Sequence, residues 1–133
     1  MKKLCIILIL VTLFTLCGCS LNSLRPEKIT TDAVTIYYND KSYNLVIEDE
    51  EIVKELTALY NTLKLNKVDE ELDFSSTINI VFYESKKEKA ILSIDKNGLL
   101  YLYRDTDNIY KVLNKDFDYS RIEEIYNTYK DKK

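Results

Sequence analysis

The sequence predicts an α+β domain: an antiparallel sheet of five or six strands, in the order ββαβββ(β)α, with two helices packed on one face. Three observations lead there. Short runs rich in β-branched and aromatic residues alternate apolar and polar side chains, as half-buried strands do. Small clusters of turn-forming residues separate these runs, which makes consecutive strands antiparallel neighbours. Two other stretches repeat apolar residues every three or four positions, the period of a helix with one buried face.

Taken in order, residues 33–38 and 43–48 are the first strands, separated by the turn-formers Asn39-Asp40-Lys41-Ser42. Tyr43, Leu45 and Ile47 alternate with Asn44, Val46 and Glu48, so one face is buried. The strand runs straight into a helix. Asp49 suits its N-cap, and Glu50 and Glu51 suit the positive end of its dipole. Ile52, Leu56, Leu59 and Leu63 form its apolar stripe, widened by Val53 and Tyr60. The helix is expected to end near Leu65-Asn66, followed by an acidic connector over 67–76.

Residues 77–83 alternate again through Ile78, Ile80 and Phe82, and 88–94 return through Ala90, Leu92 and Ile94 after a turn at 84–87. Asp95-Lys96-Asn97-Gly98 is the strongest turn signal, because Asn-Gly readily takes positive φ. Residues 99–103 are the next strand, 104–108 a polar loop and 109–113 a short edge strand. Asp118 or Ser120 caps a last helix in which Ile122, Ile125, Tyr126 and Tyr129 share a face. Its Lys-rich end suits the negative pole of the dipole.

The N-terminus reads differently. Lys2 and Lys3 precede a stretch from Leu4 to Leu16 that carries no charge. A cationic start, a short apolar core and small residues before a cut are the parts of an export signal. A membrane span needs about 20 apolar residues, so this stretch is too short for a comfortable one. It ends in Leu16-Cys17-Gly18-Cys19, which resembles the lipobox of bacterial lipoproteins. That resemblance implies a diacylglyceryl group on Cys19 and cleavage just before it. The organisation expected is a signal peptide at 1–18, a lipidated cysteine and flexible tether at 19–28, and one α+β domain at 29–133. The chain as a whole resembles small Gram-positive lipoproteins with a hairpin, helix, meander and C-terminal helix. Its abundance of Lys, Ile, Asn and Tyr, the signature of an AT-rich genome, agrees. The expected location is the extracytoplasmic face of the cell membrane.

Charge and cysteine count narrow the function. Of 19 basic residues Lys2 and Lys3 leave with the signal, so 17 face 22 acidic ones and the mature net charge is −5. An acidic chain without a basic cluster is a poor nucleic-acid binder. Of Cys5, Cys17 and Cys19, two leave and the third is modified, so disulfides are not expected. With no histidine, imidazole-dependent nucleophilic catalysis is excluded, as is a His/Cys zinc site. Gly18 and Gly98 leave nothing for a phosphate-cradling loop. No cofactor is expected.

Carboxylates and tyrosines remain. Asp105-Thr106-Asp107-Asn108 resembles the start of a calcium loop, yet it lacks the glycine and later glutamate of an EF-hand. It reads as a solvated turn. Asp69, Glu70, Glu71 and Asp73 read as a charged connector. Tyr37, Tyr38, Tyr43, Tyr83, Tyr101, Tyr103 and Tyr110 fall on expected strands, with Tyr101 and Tyr103 opposite Leu100 and Leu102 as a binding face. High β-propensity in an AT-rich genome is the favoured explanation of these tyrosines. The expectation is therefore a non-catalytic binding or accessory domain for another envelope protein. The alternatives are a peptide- or glycan-binding module using the tyrosine face, or a carboxylate-dependent hydrolase.

Overall fold

The structure, a computed structural model, describes residues 23–38 and 45–132. The signal sequence, Cys19, the turn at 39–42 and Tyr43 lie outside the described residues. In chain order the elements are β1 (Ala33–Tyr38), β2 (Leu45–Ile47), α1 (Glu50–Thr62), β3 (Leu65–Val68) and β4 (Ile78–Glu84). They continue with β5 (Lys87–Ile94), β6 (Leu99–Leu102), β7 (Asp105–Val112) and α2 (Tyr119–Lys130). The strands make one antiparallel sheet in the order β2-β1-β4-β5-β6-β7-β3.

The fold class is α+β, but the sheet has seven strands where five or six were expected. The extra strand is β3. Residues 65–68 were assigned to the end of a helix and the start of a connector. Leu63 is instead the C-cap of α1 in extended backbone, and Lys64 N donates to Asn114 Oδ1 at 2.7 Å. Both Leu63 and Leu65 are buried. Two residues apart, they would sit on opposite sides of a helix, so burying both requires the period of a strand. β7 is corrected in consequence. It starts at Asp105 rather than 109 and lies inside the sheet, because β3 pairs along its outer side from Leu65↔Val112 to Val68↔Ile109.

The two helices begin where the capping residues direct. Asp49 accepts from Glu51 N at 3.1 Å and Ile52 N at 3.3 Å, and Asp118 accepts from Ser120 N at 2.9 Å. Register then decides which face they cover. Val34 stands opposite Phe82, Ile36 and Leu92 opposite Ile80, and Ile94 and Tyr110 opposite Leu100. These share one cluster with Val53, Leu56 and Tyr60 of α1 and Ile122, Ile125 and Tyr126 of α2. Each such side chain contributes roughly 1.5–3 kcal/mol when fully buried. Tyr38 joins the seam edge-on to Tyr126, with ring centres 4.9 Å apart. Both helices therefore cover the same face of the sheet.

Candidate functional site

Alternation sends the intervening residues to the face that neither of the described helices covers. Tyr37 pairs with Asn79, Asn79 with Ser93, and Ser93 with Tyr101, a single row across β1, β4, β5 and β6. The next row is Val46, Thr35, Val81 and Ile91, and beyond it Ala33 meets Tyr83. None of these residues is charged, although 31% of the chain is; the first charge comes at the rim, where Glu88 pairs with Tyr83. Loss of charge with enrichment in tyrosine is the composition of an interface core.

The row has small residues in the middle and rings at either end. Asn79 and Ser93 are 3% and 1% exposed, while Tyr37, Tyr83 and Tyr101 are half-buried. Burial, and then the proximity of Tyr101, Tyr83 and Glu88, raise the pKa of Tyr37 above its ordinary value. The Tyr37 hydroxyl therefore stays neutral at physiological pH. Toward the β2 edge the face dips into a shallow concavity of about 570 Å³ floored by Ala33, Thr35, Val46 and Tyr83 and rimmed by Asp32, Glu48, Ser85 and Lys86. Val46 is 54% exposed there.

Tyr101 and Tyr103 are not brought together. Leu102 pairs with Asp105 after a register shift, which leaves Tyr103 and Arg104 as the two residues of a tight turn. Tyr103 is on no strand. It is exposed and lines a separate cleft of about 210 Å³ beside Tyr60, Leu102 and Arg104, in which Tyr101 takes no part. Sequence reasoning missed Tyr37, Asn79, Ser93 and Tyr83 as partners of Tyr101. Their signal was present as small polar residues at the outward positions of two otherwise aliphatic strands.

The carboxylates have local partners. Glu27, Glu88 and Asp105 line the 210 Å³ cleft with Lys89 and Arg104. Tyr110 and then Asn108 donate to Asp105, holding its pKa below the ordinary value and disfavouring it as a proton donor. Of the loop expected at 104–108, only Arg104 lies in a turn; Asp105 to Asn108 begin strand β7. Asp73 is held at about 2 by Ser75 and Lys96. Among the described residues no group of three or more acids or cysteines is placed to hold a metal ion. Nor is any helix among them long and apolar enough to cross a membrane. No family model, curated protein or solved structure matches the chain.

Proposed function

We propose that this chain is an extracytoplasmic lipoprotein, anchored through a diacylglyceryl group on Cys19, whose domain is a non-catalytic binding or accessory module for another envelope protein. The lipobox Leu16-Cys17-Gly18-Cys19 supports the anchor. The binding role rests on one observation, the uncharged, tyrosine-flanked row at the centre of the face that neither described helix covers. A partner suited to it meets the row itself with an uncharged surface, because a charge buried there meets no opposite charge, and reaches Asp32, Glu48, Lys86 and Glu88 only at the rim. The concavity beside Val46 provides for a protruding apolar side chain.

The same row favours a second reading. Aromatic rings flanking an amide and a hydroxyl also suit a peptide or a neutral glycan. Cross-linking in intact cells separates the two. The account expects one reproducible envelope protein, lost when Cys19→Ser releases the domain. Capture of wall glycan with no protein adduct would reverse the order of the readings.

A further inference from the structure

Leu24 exchanges two backbone hydrogen bonds of 2.9 Å with Leu65, so the chain from Cys19 is clipped to the outer edge of β3. Leu24 is five residue steps from Cys19, and fully extended these reach roughly 18 Å. If Cys19 is lipidated, on which this inference rests, the β3 edge is the part of the domain held closest to the bilayer.

That corner has the chemistry of a lipid-contacting surface. Leu24 and Leu113 are 42% and 43% exposed. Antiparallel pairing sets Arg25 beside Lys64, and Leu113 N donates to Lys64 O at 2.8 Å, so these residues adjoin. Arg25, Lys64 and Lys115 are exposed, and none forms an ion pair with a described residue. Glu27, Asp69 and Asp116 are the acids nearest to Arg25, Lys64 and Lys115 in sequence. A mature net charge of −5 argues against a domain-wide attraction to anionic lipid. Screening over about 8 Å, however, lets cations at the surface act locally.

We propose that Arg25, Lys64 and Leu113, neighbours on one side of this edge, form a membrane-facing corner that rests on anionic headgroups. The sheet then stands with β2 six strand spacings away, roughly 29 Å further along the sheet. That orientation presents the β2 end of the tyrosine face away from the bilayer.

The chain contains no tryptophan, so a single introduced one reports position without background. Full-length lipidated protein is placed in vesicles of mixed neutral and anionic phospholipids with brominated acyl chains. Leu113→Trp should be quenched at least twofold more than Val46→Trp. Adding Arg25→Glu and Lys64→Glu should weaken the quenching of Leu113→Trp in anionic vesicles and leave it unchanged in neutral ones. A mass without acyl chains on Cys19 overturns both the anchor and this corner. An acylated chain quenched equally at 46 and 113 overturns the corner alone.

Discussion

Ser93 donates a hydrogen bond to the side-chain oxygen of Asn79 across the β4–β5 pairing, midway between Tyr37 and Tyr101. Both are sealed from solvent, so neither can exchange its partner for bulk water. Ser93→Ala should therefore destabilise the domain by about 1–2 kcal/mol. Urea unfolding measures it, and an unchanged midpoint would show that water reaches the row.

Asp95 ties the connector after β3 to the β5–β6 hairpin. It is fully buried and accepts from Asp73 N at 2.9 Å, Asn97 N at 2.8 Å and Leu99 N at 3.0 Å. Removing the carboxylate strands three donors, each costly to leave unpaired. Asp95→Ala is expected to cost about 3 kcal/mol, with exchange protection lost first at the amides of Asp73 and Asn97. Uniform loss across the sheet would contradict a local staple.

The β4–β5 hairpin turns on Ser85 and Lys86, whose φ angles are 52° and 65°. Positive φ at both central residues is the turn that Asn-Gly makes best, and side chains other than Asn and Gly are strained there. Replacing Ser85-Lys86 by Asn-Gly should stabilise the fold by about 1 kcal/mol and raise Tm by roughly 4 °C. The hydrogen bond from the amide of residue 85 to Asp32 Oδ2 is a backbone bond and survives the change.

Acid should loosen the connector early. Ser75 and Lys96 hold Asp73 at about 2, against an ordinary value of 3.8. A carboxylate depressed on folding contributes stability above its unfolded value, and that contribution is lost as pH falls through the folded one. The loss falls between about pH 4 and pH 2. Asp73→Asn should flatten that part of the stability profile, as a titration followed by circular dichroism would show.

Arg121 of α2 grips Glu55 of α1 through two parallel hydrogen bonds, at 2.7 and 2.9 Å, and also reaches Glu124 at 2.8 Å. The Arg121–Glu55 pair is substantially exposed, so its coupling is modest. A double-mutant cycle with Arg121→Ala and Glu55→Ala should return about 0.5–1 kcal/mol, falling with added salt.

Much of this fold was legible before any coordinates. Asp49 and Asp118 cap the helices as their position before an apolar stripe suggests. The alternation of Ile78, Ile80 and Phe82 chose the buried face correctly. What failed did so for tertiary reasons. β3 is four residues long and adjoins the α1 stripe, so only its pairing with β7 distinguishes it from the helix end. Tyr103 continued the alternation of β6, but closure of a two-residue turn took it off the strand. The row from Tyr37 to Tyr101 joins residues 64 positions apart, and register across four strands is not written in local pattern.

The central claim is that the sheet face opposite the two described helices is the one that meets a partner. A photo-cross-linking residue placed at Tyr101, at Val46 or at Ala58 on the exposed side of α1 tests it in cells making the full chain. The account predicts the same envelope protein captured from 101 and 46 and nothing specific from 58. Capture from 58 alone, or from none of the three, would contradict it.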